Sequence, residues 1–223
     1  MARFQEAIDD YRYLRNRGFP EKASLKLVGD RYRLSGAERN SLFRGVCEHQ
    51  TSAGRRAKLL RPQDIAGGAL GMDWYNILIT VESFLKGFPV FVADDGVVRD
   101  PSGVHSSYKT SPITRRAVGE IIRALERLHP KSVAVFLDSP VSHSAEMATR
   151  LRQELAENAS FAFSVNLEHS PDYRLKSFTG IVASSDSVIL DSADRAFDVA
   201  RYTLEIAFGH MPGSIRDLKF SIP

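Results

Sequence analysis

Cysteine is nearly absent from this sequence, since Cys47 is the only one among 223 residues. A single thiol excludes an internal disulfide framework and any zinc site built from several thiolates. We expect Cys47 to be a buried, inert thiol. Long hydrophobic runs are absent as well, because the longest, such as Ile77–Val81 and Ser132–Leu137, are far shorter than the roughly 20 residues that span a bilayer. The first residues, MARFQEAIDDYRYLRNR, contain no apolar signal core, so we expect a cytoplasmic location and no membrane partner.

Motifs of several catalytic classes are also missing. No GxxxxGK[ST] sequence is present, which excludes a Walker-type nucleotide site, and GGALGM lacks the preceding strand that a dinucleotide-binding glycine motif requires. The six histidines include no HExxH motif and no pair four residues apart, which argues against a zinc hydrolase. There is no GxSxG elbow for a serine hydrolase.

Charge is unevenly distributed along the chain, although the net charge is only +3. Residues 1–62 contain 14 lysines and arginines against 7 aspartates and glutamates, a net charge of +7. Residues 63–223 contain 16 against 20, a net charge of −4. A basic segment ahead of an acidic one favours binding to a polyanion such as a nucleic acid. The alternative is an ordinary solvated helical surface.

The basic segment has the apolar spacing of short helices. Apolar residues recur at helical intervals from Phe4 to Leu14, and the sequence GFP then ends that element. A second helix is predicted over residues 21–32. Ser35, with Glu38 three residues later, forms the capping box of a third helix. Short helices joined by a tight turn and rich in arginine resemble a helix-turn-helix arrangement.

A polar, basic connection at residues 50–64 marks the predicted domain boundary, with a basic helical module in residues 1–62 and a second domain in residues 63–223. In the second domain, short apolar segments alternate with helical ones. This alternation predicts an α/β fold with a mainly parallel sheet flanked by helices. Strands are predicted near residues 69–72, 89–93, 132–137, 161–165 and 180–183, and helices near 114–128, 144–158 and 193–208. The segment Ile77–Leu85 fits either a strand or a helix.

Aspartates follow several of the predicted strands. Asp73 ends the first strand in GMDWYN, Asp138 follows VAVFL, Asp186 follows GIVASS, and Asp172 lies just before that last strand in HSPDYRLKS. Functional groups of an open parallel sheet gather beyond the carboxyl ends of its strands. Carboxylates that converge there repel one another unless a hard cation such as Mg²⁺ or Mn²⁺ neutralises them, and such ions activate water for attack on a phosphodiester. The alternative for any one of these aspartates is an ordinary helix N-cap or turn residue.

The strings that contain these aspartates resemble the motifs of PIN-like and NYN-like nucleases. GMDWYNIL is similar to their opening motif, in which an aspartate is followed three residues later by an asparagine, here Asn76. SPDYRLKSFTGIVASSDSVIL is similar to their closing motif, in which a Ser/Thr-rich turn, here Ser184 and Ser185, presents the final aspartate. Asp138 matches their middle acidic strand end. The resemblance covers roughly residues 65–208.

This resemblance implies a Mg²⁺- or Mn²⁺-dependent phosphodiesterase that acts on nucleic acid, most often RNA rather than DNA. It implies that four aspartates share the metal ions: Asp73, Asp138, Asp172 and Asp186. It also implies that Asn76 orients Asp73 and that Ser184 or Ser185 supports Asp186. PIN-like domains often dimerise, so a homodimer is a further expectation. The chain also resembles an uncharacterised archaeal-type family that carries a basic helical N-terminal module.

The segment HSSYKTSPITRR is a candidate phosphate-binding motif. Ser111 fits a helix N-cap and Pro112 the first helical position. Nearby hydroxyls, together with Lys109, Arg115 and Arg116, could hold a phosphate of the nucleic acid. The alternative is a polar loop before a well-capped helix.

Other interpretations of the sequence remain open. Asp73 and Asp138 are farther apart than a compact PIN-like domain requires, so Asp94 or Asp95 is a rival for the middle carboxylate. The order of Glu82, after ILITV, and Asp138 is similar to that of TOPRIM-like enzymes, which also use Mg²⁺ on phosphodiesters. A third hypothesis is a non-catalytic nucleic-acid-binding or adaptor protein, in which the basic module supplies affinity through phosphate contacts and the α/β domain is a degenerate scaffold.

Overall fold

A computed structural model describes residues 2–102 and 110–218 of the chain. Within these ranges it contains ten α-helices and six β-strands. In chain order they are α1 (Ala2–Asn16), α2 (Glu21–Arg31), α3 (Gly36–Gly45), α4 (His49–Lys58), β1 (Ala69–Asp73), α5 (Trp74–Leu85), β2 (Phe91–Val92), β3 (Val98–Arg99), α6 (Pro112–Leu128), β4 (Ser132–Asp138), α7 (Ser144–Asn158), β5 (Ala162–Glu168), α8 (Pro171–Lys176), β6 (Ile181–Ala183), α9 (Ser187–Ser192) and α10 (Val199–Phe208). In residues 2–102 and 110–218, no helix combines the length and the apolar content required to cross a bilayer.

The chain divides into two compact units that are not simple halves of the sequence. The first unit comprises the described residues of Met1–Ala57, Phe88–Gly103 and Pro212–Pro223, and the second those of Lys58–Gly87 and Val104–Met211. Two segments that the sequence prediction assigned to the second domain therefore belong with the N-terminal helices. The predicted connection at residues 50–64 also differs from the structure, because most of it lies in α4.

The first unit has an apolar core to which three distant parts of the chain contribute. Its buried members include Phe4, Ile8, Tyr11, Val28, Leu42, Val46, Phe91, Ala93, Ile215 and Leu218. The predicted capping box is present, since the Ser35 hydroxyl accepts from the Glu38 amide and the Glu38 carboxylate accepts from the Ser35 amide. Gly45 permits the close approach of two side chains from the later segments, because a Cβ atom there would overlap Phe91 and Ile215. Packing between distant segments thus sets the extent of this unit.

The strand predicted near residues 89–93 exists, but it belongs to the first unit rather than to the main sheet. Strands β2 and β3 form a two-stranded antiparallel ribbon in which Phe91 lies opposite Arg99. Cys47, in the same unit, is half-buried. Burial raises the pKa of its thiol to about 12, which keeps the thiol protonated near neutral pH.

A buried ion-pair network ties the ribbon to α4 within the first unit. Asp95 is buried, and its carboxylate accepts hydrogen bonds from Arg99 at 2.7 and 2.8 Å and from Arg55 at 3.1 Å. Burial alone would raise the pKa of Asp95, but the charges and hydrogen bonds of Arg99 and Arg55 outweigh it and hold the pKa below its usual value. Asp95 is therefore ionised and fully engaged by arginine.

The second unit is built on a four-stranded parallel sheet in the order β5-β4-β1-β6. This confirms the predicted α/β fold with a parallel sheet flanked by helices and preceded by an N-terminal helical region. Strand β1 is central, with Met72 paired to Val135 of β4 and to Ala183 of β6. All strands run in the same direction, so their carboxyl ends share one edge of the sheet.

Helix α5 resolves the ambiguity of the apolar run after Asp73. Its residues from Trp74 to Ser83 are all buried, which explains why the sequence has no amphipathic pattern there. The helix predicted over residues 193–208 is shorter than expected, since α9 ends at Ser192 and α10 begins at Val199.

We predict that Asp95→Ala destabilises the protein by about 3–5 kcal/mol, because it removes the buried carboxylate that accepts hydrogen bonds from both Arg55 and Arg99. Chemical denaturation of the two proteins measures this difference. Asp30→Ala is the matched control, since Asp30 also contacts a lysine and an arginine but is exposed, and its loss should destabilise the protein much less. Equal effects of the two substitutions would contradict a structural role for the buried network.

Candidate functional site

A cavity of about 340 Å³ lies at the carboxyl edge of the sheet in the second unit. It is lined by Asp73, Asn76, Asp138, Pro140, Val141, Asp172 and Asp186. All four aspartates predicted from the sequence are therefore brought to one cavity. Pro140 and Val141, which sequence reasoning did not single out, form an apolar part of its wall.

Asp73 is the last residue of β1 and the most deeply buried of the four aspartates. It occupies the N-cap position of α5, but its side chain makes no capping hydrogen bond. Its carboxylate oxygen Oδ2 instead accepts a hydrogen bond from the Ser184 hydroxyl at 2.9 Å. The ordinary explanation of an aspartate after a strand, a helix cap, thus does not apply to Asp73.

The electrostatic environment of Asp73 couples the four carboxylates. Burial raises the pKa of Asp73 to about 7, and the Ser184 hydrogen bond opposes this rise only in part. The negative charges of Asp138, Asp186 and Asp172 raise the pKa further. A carboxylate held half-protonated near neutral pH by burial and by like charges is typical of functional sites.

Asp186 follows β6 and does serve as a helix cap. Its Oδ1 accepts hydrogen bonds from the amides of Val188 at 2.8 Å and Ile189 at 3.2 Å, at the start of α9. Both amides bond to the same oxygen, so capping holds the carboxylate in place and uses only Oδ1. The capping role and a place in the acidic cluster are compatible for this residue.

Two serines connect the motifs, but not as the sequence suggested. Ser184 was expected to support Asp186; its Oγ accepts from the Asp186 amide at 3.0 Å and also donates to Asp73, so it bridges the first and last aspartates. Asn76 was expected to orient Asp73. Its Oδ1 instead accepts hydrogen bonds from the backbone amide of Ser185, at 3.1 Å, and from the Ser185 hydroxyl. Asn76 therefore positions the serine turn, and the turn positions Asp73.

The remaining two aspartates come from neighbouring elements. Asp138 ends β4 and lies two residues beyond Phe136, the partner of Asp73 in the parallel register. Asp172 lies in the first turn of α8. The rival carboxylates, Asp94 and Asp95, belong to the first unit, where Arg12 engages Asp94 at 2.7 and 2.9 Å and two arginines engage Asp95. Asp138 is thus the middle carboxylate of the cavity.

Glu82, the first acidic residue of the TOPRIM-like alternative, lies inside α5 rather than after a strand. It is buried and forms an ion pair with Lys86 at 2.7 Å, one helical turn away. It does not belong to the cavity lining. The strand-end arrangement on which that alternative depends is therefore not formed by Glu82.

The chemistry of the cavity lining suits a hard cation. Among the described residues its polar groups are carboxylates and one amide, with no histidine or cysteine, which is the donor set that Mg²⁺ and Mn²⁺ prefer. In the described part of the chain, no three Asp, Glu, His or Cys side chains are close enough together to enclose a metal ion. Repulsion among four carboxylates opposes a tighter cluster when no cation compensates their charge. The cavity lining therefore matches a hard cation in the type of its donor atoms and in its negative charge.

The candidate phosphate-binding residues lie in different surroundings. Arg115 lines a second, separate cavity together with Arg150, which sequence reasoning missed. The Arg116 guanidinium lies over the Phe208 ring, 5.4 Å from its centroid. Lys109 lies outside the described residues. The capping box of α6 is present, with Ser111 accepting from the Thr114 amide.

The sequence also offers six arginines as a wide polyanion surface, namely Arg12, Arg15, Arg17, Arg31, Arg33 and Arg39, and most of them are paired with carboxylates. Four of the six contact acidic residues of the first unit: Arg12 with Asp94, Arg15 with Glu48, Arg31 with Asp10 and Arg39 with Asp30. Arg17 lies over the Tyr13 ring. The side chains of Arg12 and Arg15 are mostly buried in their ion pairs, whereas Arg31 is exposed and its weak ion pair leaves it available to phosphate at a modest cost.

Comparison with known proteins places the chain among relatives. The family described as Domain of unknown function (DUF5616) matches residues 62–202, which include the four aspartates, Asn76 and both serines. The chain belongs to this family. The family described as Protein of unknown function (DUF434) matches residues 3–58. The chain is 31% identical over 192 residues to "Uncharacterized protein MJ0935" of Methanocaldococcus jannaschii, which covers 84% of this chain and 89% of that protein. No solved structure matches the chain.

We predict that stability without divalent cations falls as the pH rises from about 4 to 7. The pKa of Asp73 is raised from 3.8 to about 7 in the folded protein. The folded state therefore binds this proton more tightly than the unfolded state does, and the free energy of unfolding falls as Asp73 ionises. The full loss is about 4 kcal/mol. Asp73→Asn should remove most of this loss, which denaturation in EDTA from pH 4 to 8 measures.

Asp194→Asn is the control for this experiment, because Asp194 is exposed and does not line the cavity. It should keep the wild-type dependence on pH. An Asp73→Asn variant as sensitive to pH as the wild type would show that Asp73 is not the group that titrates.

Proposed function

We propose that the second unit is a Mg²⁺- or Mn²⁺-dependent phosphodiesterase that cleaves nucleic acid, with RNA as the preferred substrate. The observation that carries this proposal is the convergence of Asp73, Asp138, Asp172 and Asp186 on one cavity, where burial and like charge raise the pKa of Asp73 to about 7. Carboxylates brought together in this way are stabilised by a divalent cation.

Each aspartate has a distinct part in such a site. Asp73 would be the buried ligand, held in place by Ser184. Asp186, fixed by its capping bonds, and Asp138, at the end of β4, would contribute from either side of β1. Asp172 would complete the set from the first turn of α8. A divalent cation bound there supplies an activated water and neutralises the charge that develops on the phosphodiester.

The choice of nucleic acid as substrate has two supports outside the cavity. Residues 1–62 have a net charge of +7, which favours association with a polyanion. The GMDWYNIL and SPDYRLKSFTGIVASSDSVIL motifs resemble those of PIN-like nucleases, most of which act on RNA. A cytoplasmic location and a homodimer, both suggested by the sequence, are compatible with this activity but are not required for it.

We predict that the protein cleaves labelled RNA in the presence of Mn²⁺ and that Asp73→Asn or Asp186→Asn lowers the rate about 100-fold or more. Asparagine caps helices as well as aspartate does, so Asp186→Asn removes charge while it preserves the start of α9. Gel analysis of single-stranded and structured RNA measures cleavage. Binding of the same RNA, measured in EDTA, should be unchanged or tighter.

Asp194→Asn is again the control and should cleave at the wild-type rate. Cleavage that persists in Asp73→Asn would place the active site elsewhere. A complete lack of cleavage, with salt-sensitive RNA binding that the aspartate variants do not alter, would instead favour a non-catalytic nucleic-acid-binding protein.

We also predict that Mn²⁺ raises the melting temperature and does so more strongly at pH 8 than at pH 6. The ion binds the ionised form of Asp73, whose pKa is about 7, so the apparent affinity at pH 6 should be about tenfold weaker. Thermal unfolding over a Mn²⁺ titration at both pH values measures this. Asp73→Asn should lose the response, and a wild-type protein that Mn²⁺ does not stabilise at either pH would argue against a metal site.

A further inference from the structure

A second cavity of about 400 Å³ lies in the second unit, apart from the one that the aspartates line. Its lining consists of Thr110, Ser111, Pro112, Arg115 and Arg150. Arg115 comes from the first turn of α6 and Arg150 from the middle of α7. Among the residues that the structure describes, the lining contains two cationic side chains, two hydroxyls and no acidic residue, which is the composition of an anion-binding site.

The guanidinium groups of Arg115 and Arg150 have no partner in the part of the chain that the structure describes. In residues 2–102 and 110–218, neither side chain forms a hydrogen bond or an ion pair. Other arginines of the same two helices do have partners, since Arg123 pairs with Glu120 and Arg152 donates to the carbonyl of Val165. Two unpaired cations that face one cavity repel each other, and an anion placed between them relieves that repulsion.

The start of α6 is not itself the source of the binding energy. The Ser111 hydroxyl accepts from the Thr114 amide, and the Thr114 hydroxyl accepts from the Ser111 amide at 2.9 Å, so the capping box already uses these groups. Recognition of an anion therefore depends on the fork of donors that each arginine offers, which matches the oxygens of a phosphate.

The topology places this cavity at the same edge of the sheet as the aspartates. The end of α6 is tied to the amino end of β1, because Gly67 donates to the His129 carbonyl at 2.9 Å and Lys131 donates to the Gly68 carbonyl at 2.8 Å. From there α6 runs back for 17 residues, about 25 Å. The adjoining strand β4 has 7 residues, about 23 Å. From this short connection we infer that the first turn of α6 lies towards the carboxyl edge of the sheet, where Asp138 is located.

We propose that the cavity lined by Arg115 and Arg150 binds a backbone phosphate of the nucleic acid strand whose other phosphate is cleaved at the aspartates. The choice of a nucleic acid as the source of the phosphate rests on the proposed function. Arg150 is a substrate-positioning residue in this assignment, and Arg115 is its partner. A site of this kind would hold the strand at a fixed distance from the aspartates, which sets which bond is cleaved.

The test is RNA binding by the full chain in EDTA, where no cleavage occurs. Fluorescence anisotropy of a labelled single-stranded RNA is measured between 50 and 200 mM salt, roughly the range in which phosphate contacts are released. Arg115→Gln and Arg150→Gln should each weaken binding about threefold to tenfold, and each should reduce the salt slope by about 0.7. Both residues are exposed, so the variants should melt at the wild-type temperature.

Arg127→Gln is the charge-matched control, because Arg127 is exposed on α6 but does not line the cavity. If Arg115→Gln and Arg150→Gln weaken RNA binding no more than Arg127→Gln does, the proposal is wrong. Inorganic phosphate tests the other source of the ligand. Thermal stabilisation by phosphate that requires Arg150, together with unchanged RNA binding, would identify a site for free phosphate and overturn the assignment to a nucleic acid.

The proposed cleavage activity and the proposed phosphate site can be rejected independently of each other. Arginine-dependent RNA binding without Mn²⁺-dependent cleavage would retain the phosphate site and reject the nuclease. Cleavage at wild-type rates and positions in Arg150→Gln would retain the nuclease and reject the positioning role.

Discussion

The burial of Asp73 beside three other carboxylates is the constraint on which the carboxyl edge of the sheet depends. Asp73 is buried at the end of the central strand, so water screens its charge poorly, and its pKa rises to about 7. The Ser184 hydroxyl offsets part of this cost and at the same time accepts from the amide of Asp186. A fold that was selected for stability alone would replace such a group with an apolar side chain, whereas a cation-binding site requires it.

The sequence predicts most of this site because parallel strands leave little freedom. Once β1, β4 and β6 run in the same direction, residues at their carboxyl ends must share one edge, so Asp73, Asp138 and Asp186 converge. Contacts between distant residues were not predictable in this way. No local sequence pattern predicts that Asp95 pairs with Arg55 or that Arg150 lines the same cavity as Arg115. Nor does one predict that Asn76 accepts hydrogen bonds from the serine turn rather than contacting Asp73.

The availability of positive charge in the folded protein differs from what the distribution of charge along the sequence suggests. The basic excess of residues 1–62 suggests an open cationic surface, but Arg12, Arg15, Arg31 and Arg39 each have an acidic neighbour, and Arg55 is buried against Asp95. In the second unit, two arginines line one cavity, and their side chains have no partner among residues 2–102 and 110–218. Local pairing, rather than net charge, therefore decides where a phosphate meets an available guanidinium group.

The discontinuous first unit has a consequence for how the protein is made. Its core takes residues from the N-terminal helices, from Phe91 and Ala93, and from Ile215 and Leu218 near the other end of the chain. On a ribosome, the N-terminal helices are synthesised before Phe91 and Ile215 and cannot complete this core until those residues have emerged. The four-stranded sheet, whose strands end at Ala183, can form earlier. The N-terminal helices are thus synthesised before the sheet but complete their native packing after it, and a fragment cut at residue 58 would lack part of its own core.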